Sequence, residues 1–376
     1  MKNKKLFIVV NVDWFFLSHR RDIALAAQNA GRDVTIVTAD TGKLKDIEAN
    51  GLKTINLPMS RSGMNIKEEL GTLSFLYKLY KKERPNVVHH VGMKTILWGT
   101  LAAKFASVPG VVNAVSGLGG FFAEDNKSIL AKIMPKVLKF SHSRKNLLVI
   151  FQNNEDRLMY VKKGIISDSQ ARFIKGSGVN LQEFCYTPEP LDGKLKIILT
   201  ARMIVEKGIF LLVEAAEKLR AEYKEKAEFW LVGGLDDHPG AITKEQLDKV
   251  CDGKYIKWLG YRTDVKELLQ QSHIVAFPSY YMEGLPKSLI EACAIGRPII
   301  TTQSIGCKDT VDDCVNGYLI PPKDVDALAS KLRVLIDNPE MREIMGKASR
   351  AKAEKEFSLD VVIERHLAIY DELVKG

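Results

Sequence analysis

Two glutamates, Glu283 and Glu291, stand eight positions apart in SYYMEGLPKSLIEACAIGRP, residues 279–298. Paired carboxylates can act as acid and base, as ligand clamps, or as ordinary charges on a helix. The preceding HIVAFPS reads as a strand ending at Pro278-Ser279, and Pro286 suits the first turn of a following helix. Glu283 then falls in the strand-to-helix turn, and Glu291 one to two turns inside the helix. Even on one continuous helix, eight residues separate two positions by about 12 Å along the axis and about 80° around it. Carboxylates that cleave a glycosidic bond stand about 5–9.5 Å apart and flank that bond. The spacing is poor for such a dyad and better suited to gripping two parts of one extended ligand. Between them, the N–H groups of Leu285, Lys287 and Ser288 open a helix, a natural place for a phosphate. On spacing alone, a solvated helix carboxylate and a plain turn carboxylate remain an equal alternative.

A second group is LTARMIVEKG, residues 199–208, where a strand ends at Thr200 and Arg202 and Lys207 follow. Cations on a loop beside a helix start neutralise a diphosphate well, although any single one is more often a solvated charge. Asp324-Val-Asp326 has the D-x-D form that holds divalent ions elsewhere, but here it follows PPK and opens a helix. It reads as an N-cap, so no metal is expected.

These residues need elements to hold them. In the first half KLFIVVNV, DVTIVTA, KTINLP, NVVHHV, VVNAVS, NLLVIFQN and ARFIKG read as strands, with amphipathic stretches such as Arg20–Ala30 and 73–82 between them. The segment 178–190 is rich in turn residues and reads as a linker. KLKIILTAR, AEFWLVGG, YIKWLG, HIVAFPS, RPIITT and GYLIPP then form a second set. Helices are expected over 208–222, 265–271, 286–295 and 325–337, and from Met341 to Lys375 with a break near Phe357-Ser358. Strand then helix, repeated, predicts α/β architecture: two Rossmann-like parallel sheets with a cleft between them. The expected division is 1–178, 179–356, and a C-terminal helix 357–376 crossing back to the first domain. Ligands in such sheets bind outside the carboxyl ends of the strands, where both constellations fall.

The bulk numbers add context. At 376 residues the chain is long for one core. Residues 1–178 hold 28 Lys/Arg against 14 Asp/Glu, and the remainder 27 against 32. The basic half implies an anionic partner surface, nucleic acid or a phospholipid leaflet. Five scattered cysteines with no CxxC point to a reducing compartment and away from zinc. Asn11 and Asp13 interrupt the first apolar run, which reads as a strand rather than a signal peptide, and no transmembrane helix is expected. In Lys127–Lys145, apolar Ile129, Leu130, Ile133, Met134, Val137, Leu138 and Phe140 interleave with Lys127, Lys132, Lys136, Lys139, Arg144 and Lys145. Such a helix can lie on an anionic leaflet or pack its apolar side on the sheet, and both hold if only the lysine face meets lipid.

ARMIVEKG, LVGGLDDHPG, LGYRTDVKELLQQSHIVAFPS and above all EGLPKSLIEACAIGRPII resemble the retaining family 4 glycosyltransferases of the GT-B fold, in order over nearly the whole second half. DWFFLSHRRDIALAAQNAGRDVTIVT, HHVGMKTILWGTLAAK and VVNAVSGLG are similar to the CapM-like and PglA-like subgroup. That subgroup builds capsule, O-antigen and N-glycan precursors on a polyprenyl diphosphate. The resemblance implies that Arg202 and Lys207 bind the diphosphate of a UDP-sugar, a co-substrate rather than a cofactor. It implies that Glu291 holds the ribose and Glu283 the transferred sugar. Gly284, Leu285 and Pro286 would lie beside the diphosphate, and Gly233 and Arg262 on the nucleotide side, Arg262 near the base. It further implies same-face substitution, with the leaving phosphate helping to deprotonate the acceptor hydroxyl.

Two departures stand out. Relatives often carry a glycine pair after the first strand, where this chain has the loop NVDWFFLSHR. They often carry a histidine after a later strand of this half, where this chain has Ser116 and Gly117 in NAVSGLGG. His19, His89 and His90 are the nearby candidates, and lone histidines are more often structural. Asp13, His19, Arg20, Lys94 and Ser116 are the candidates for the acceptor side. The resulting expectation is an enzyme moving a hexose or N-acetylhexosamine to a polyprenyl-diphosphate-linked saccharide at the inner, cytoplasmic face of the membrane. The rivals are a nucleotide-sugar 2-epimerase of the same fold, and a basic nucleic-acid-binding protein, for which neither stacking platforms nor a helix-turn-helix are found.

Overall fold

The computed structural model describes residues 4–59, 66–118, 129–237, 240–281 and 283–375, with the side chains of residues 66, 129–133 and 375 outside that description. The chain forms two compact units, Met1–Ser177 with Asp360–Gly376, and Gly178–Leu359.

The first unit is a seven-stranded parallel sheet: β1 (Lys4–Val12), β2 (Arg32–Ala39), β3 (Lys53–Asn56), β4 (Val87–Val91), β5 (Gly110–Val115), β6 (Leu147–Phe151) and β7 (Ala171–Phe173). Their spatial order is β3-β2-β1-β4-β5-β6-β7. Side chains alternate across β1: Leu6, Ile8 and Val10 enter one core and Phe7 and Val9 the other. Burial on both faces explains why the inner strands β1, β5 and β6 read as largely apolar runs, while the edge strands β3 and β7 are only partly buried. The terminal helix Leu359–Lys375 belongs to this unit's packing, with Val362, Ile369, Tyr370 and Leu373 buried beside Leu6, Val87 and Val112.

The second unit is a six-stranded parallel sheet: β8 (Leu195–Thr200), β9 (Ala227–Val232), β10 (Ile256–Trp258), β11 (Ile274–Phe277), β12 (Ile299–Thr302) and β13 (Gly317–Ile320). Their order is β10-β9-β8-β11-β12-β13. Both orders reverse direction in the middle, at β1/β4 and at β8/β11. These are the switch points where an open α/β sheet leaves a crevice outside its carboxyl ends.

One sequence expectation fails locally. NVDWFFLSHR is not a loop: after the end of β1 at Val12, Asp13–His19 forms a helix. Asp13 makes this possible by fixing the neighbouring loop. It accepts from the N–H of Thr41 (2.7 Å) and Lys43 (2.9 Å), and from the Thr41 hydroxyl. Elsewhere the break at Ser358 is present, with a π-helical turn Ala353–Phe357 ahead of it. Asp324 is an N-cap, accepting from the Ala327 N–H at 2.8 Å, and Asp326 pairs with Lys218. Among the described residues no helix is long and apolar enough to cross a membrane, and no group of three His, Cys, Asp or Glu is placed to share a metal ion.

Candidate active site

The loop after β8 and the loop after β11 are laced together at their switch point. Gly208 takes a left-handed φ of 81°, and a Cβ there would come within 2.3 Å of the Pro278 carbonyl. Only glycine permits that approach. The Tyr280 N–H donates to the Glu206 carbonyl at 2.9 Å, closing the seam. Across it, Lys207 Nζ meets Glu283 Oε1 at 2.5 Å, with only 9% and 15% of the two side chains exposed. The Lys207 ammonium also lies over the rings of Phe277 (5.5 Å) and Tyr281 (5.1 Å). Ser279 Oγ stands 3.2 Å from the same Glu283 oxygen. A third loop supports the turn: Gly306, with φ 83°, lies so close that a Cβ would sit 1.7 Å from the Gly284 carbonyl.

The helix Lys287–Ile295 starts from Pro286, which is its N-cap rather than its first helical residue. The Leu289 and Ile290 N–H groups already turn back onto the Pro286 carbonyl, at 3.1 and 3.3 Å. The helix start is therefore shared by Lys287 and Ser288. Leu285 is buried in the core, so only its backbone belongs to this turn. Glu291 lies just over a turn inside, its side chain 13% exposed, with Lys287 Nζ at 3.6 Å. Burial raises the Glu291 carboxyl above the usual range, and Lys287 opposes the shift.

Arg202 donates from Nη1 to Asp236 at 2.9 Å. Asp236 comes from the loop after β9, which packs against the loop after β8. Gly233 is the point of closest contact, since a Cβ there would lie 1.7 Å from the Ala201 carbonyl. Arg262 lies farther out, on the loop after β10, and its guanidinium is taken by Asp264 (Nε 2.7 Å). Its side chain is thus a local pair, leaving the backbone of this loop as the part able to read a base. Tyr281, Asp236, Ser279 and Gly306 went unmarked in the sequence. Tyr281 and Ser279 adjoin Glu283 in the sequence and Asp236 lies in LVGGLDDHPG, but none of the three is given a role there.

In the first unit the acceptor-side candidates separate. Asp13 is wholly buried. Burial acts to raise its pKa, but the bonds from Thr41, Lys43 and Trp14 outweigh it and hold the carboxyl below its usual value. It is a loop staple, not a lining residue. Arg20 is also buried, its pKa brought down to about 10 by desolvation, with Nη1 on the His19 carbonyl. It too faces inward. Lys94 pairs with Glu69 at 2.8 Å. His89 and His90 are fully buried: His89 Nδ1 meets Tyr370 Oη, and His90 joins Tyr80 and Asn113. His19, stacked on Phe15 at 4.1 Å, and Ser116, just past β5, remain partly accessible. Gly119 and Gly120 of NAVSGLGG, His238 and Pro239 of LVGGLDDHPG, and Met282 lie outside the described residues.

Residues 187–352 match the family model described as glycosyl transferases group 1, and residues 5–153 match the one described as glycosyl transferase 4-like. The two together take in most of the chain. It is a glycosyltransferase of the GT-B type. The enzyme is 28% identical to the N,N'-diacetylbacillosaminyl-diphospho-undecaprenol alpha-1,3-N-acetylgalactosaminyltransferase of Campylobacter jejuni, over 96% of this chain and 99% of the relative. It is 25% identical to the UDP-Gal:alpha-D-GlcNAc-diphosphoundecaprenol alpha-1,3-galactosyltransferase of Escherichia coli, over 91% and 89%. It is 24% identical to the capsular polysaccharide biosynthesis glycosyltransferase CapM of Staphylococcus aureus, over 100% and 99%. Among solved structures, a glycosyltransferase from Rickettsia africae has a TM-score of 0.77 at 20% identity, with both chains fully covered. Anabaena HepE in complex with UDP has a TM-score of 0.78 at 15% identity, over 98% of this chain and 100% of HepE. At those identities the likeness speaks for the fold of the glycosyltransferase alone.

Proposed function

We propose that the enzyme moves a hexose or N-acetylhexosamine from a UDP-sugar to a polyprenyl-diphosphate-linked saccharide, with retention and without a metal ion. The observation that carries this is the Lys207–Glu283 pair at the β8/β11 switch point, beside the helix start at Lys287 and Ser288. Lys207 and Arg202 take the donor diphosphate, and the helix start adds oriented N–H groups. Glu291 accepts from the ribose hydroxyls. Glu283, released from Lys207 by the incoming phosphate, accepts from hydroxyls of the sugar. As the sugar–phosphate bond breaks, the two cations and the helix start stabilise the charge on the departing UDP, the work a divalent ion does elsewhere. The departing phosphate oxygen takes the proton of the acceptor hydroxyl on the same face, so no acid–base carboxylate pair is required. The acceptor class rests on the relatives, two of which are named for diphospho-undecaprenol-linked substrates.

Association with an anionic leaflet at the inner face of the membrane fits this acceptor. In the helix Ile129–His142, Met134 and Leu138 are buried in the core while Lys136 and Lys139 face outward. Phe140, next to Lys139, is half exposed as well, so the outward face carries an aromatic ring beside the lysines. Lys127, and the side chain of Lys132, lie outside the described residues.

The test is a panel of UDP-sugars against a polyprenyl-diphosphate saccharide, with products read by mass and the anomeric configuration by NMR, with and without EDTA. One sugar added with retention in EDTA is expected. Donor epimerisation without transfer, an inverted product, or strict magnesium dependence would each overturn the corresponding part.

A further inference from the structure

The residue that pairs with Arg202 lies in LVGGLDDHPG, a motif of the resemblance that gives it no role. Asp236 sits in the loop after β9, only 6% exposed, while the Arg202 side chain it holds is 36% exposed. The carboxylate is the fixed partner and the guanidinium the reaching one. The loop bearing Asp236 is tied to the loop bearing Arg202 on both sides. The Met203 N–H donates to the Gly234 carbonyl (3.0 Å), the Val205 N–H to Gly240 (2.9 Å), and the Ile242 N–H to Met203 (2.9 Å). Gly233, pressed against the Ala201 carbonyl, sets the distance between them. Asp236 therefore moves with the loop after β8, not independently of it. It takes Nη1 of Arg202, and Nε and Nη2 carry no hydrogen-bond partner among the described residues. Arg202 and Asp236 both act electrostatically on Tyr281, as does Glu283, so the pair belongs to the same charged neighbourhood as the Lys207–Glu283 contact.

We infer that Asp236 is a positioning residue for the donor diphosphate: it fixes the Arg202 fork by one edge and leaves the other edge to the phosphates. An exposed arginine loses much rotamer freedom when it clamps a ligand, and a carboxylate that has already ordered it removes part of that cost. Two opposing effects decide the sign. Asp236 also places a negative charge near an anion site, which weakens binding. Its pairing with an arginine that carries spare donors makes orientation the larger effect, because a guanidinium recognises phosphate through its fork geometry as well as its charge.

This rests on the UDP-sugar reading, and the test separates the two. UDP and uridine binding are measured by calorimetry and ligand-observed NMR for wild type, Asp236→Ala, Asp236→Asn, Arg202→Ala and the double variant Asp236→Ala/Arg202→Ala. Donor KM and kcat are measured alongside. Asp236→Ala is expected to weaken UDP about tenfold, as for the loss of about one charge-assisted contact, and to raise donor KM and lower kcat together, since Arg202 also stabilises the departing UDP. Asp236→Asn, which keeps an acceptor for Nη1, loses less. Uridine binding stays as in wild type, and the double variant is no worse than Arg202→Ala alone. UDP binding equal to or tighter than wild type in Asp236→Ala would make Asp236 a competing counter-charge and overturn the inference. Equal loss of uridine and UDP would reduce it to a loop-folding residue, and additive losses would uncouple it from Arg202. If Arg202→Ala itself leaves UDP binding intact, it is the diphosphate reading of the site that fails.

Discussion

Removing Glu283 tests the core of the site in two independent readouts. In the structure its carboxylate is the ion-pair partner of Lys207, whose side chain is only 9% exposed. Glu283→Ala strands that ammonium. Breaking a fully buried pair by deleting one member costs about 3–5 kcal/mol. The two side chains keep 9% and 15% exposure, and the Phe277 and Tyr281 rings stay beneath the ammonium, so the lower end applies. A loss of about 3 kcal/mol follows, and at about 2–4 °C per kcal/mol for a unit of this size the melting temperature falls by about 6–12 °C. UDP supplies a new anion to Lys207, so the rise in melting temperature on adding UDP is larger in Glu283→Ala than in wild type. Transfer behaves oppositely: kcat collapses, since the sugar has lost its partner, while UDP affinity is kept or improved. Differential scanning fluorimetry with and without UDP, beside transfer at saturating donor, reads both. An unchanged melting temperature without nucleotide, or lost UDP affinity with surviving transfer, would refute the role.

Gly306→Ala forces a Cβ against the Gly284 carbonyl and displaces the Glu283 turn. It is expected to cost more than about 2 kcal/mol and to abolish transfer. Gly253→Ala, at φ 70° with nothing within 4 Å, should cost about 1 kcal/mol and keep activity. His90 and His142 are held neutral by burial, each with its pKa lowered to about 4, so the unfolded chain binds more protons once the pH falls below about 6.5. Their contribution is complete above that value and is lost down to about pH 4. Melting followed between pH 7 and 5 should show the first unit weakening first, and histidine-to-asparagine variants at these sites should flatten that slope. Lys136→Glu/Lys139→Glu should reduce sedimentation with anionic liposomes and leave UDP binding intact; unchanged sedimentation would remove this face from the membrane.

The inner strands were legible because parallel strands buried on both faces leave apolar runs bounded by turn residues; the edge strands Lys53–Asn56, Ala171–Phe173 and Ile256–Trp258 are only partly buried, yet all thirteen lie within the expected segments. The E-x7-E element was legible for a different reason: Pro286 and Gly296 punctuate its helix at both ends. The helix Asp13–His19 was not, because Trp14, Phe15 and Phe16 stand side by side without a helical period, and what fixes its start is Asp13 gripping residues 28 and 30 positions away. The same long-range pairing hid the meaning of other charges. Asp13, Arg20 and Lys94 look like binding groups in a list of residues; their partners reveal a staple, an inward-facing cation and an ion pair. Asp236 shows the converse, an ordinary loop aspartate made important by an arginine 34 positions earlier.

The terminal helix has a consequence for how the polypeptide is made. One wall of the first unit, against Leu6, Val87 and Val112, is built from Val362, Ile369, Tyr370 and Leu373. A ribosome delivers those residues only after the whole second unit has emerged. The first half must therefore wait, with one apolar layer uncovered, while the other half is synthesised. Its completion is tied to residues translated after the whole second unit, and premature termination near residue 359 would leave the earlier-made part of the chain unfinished.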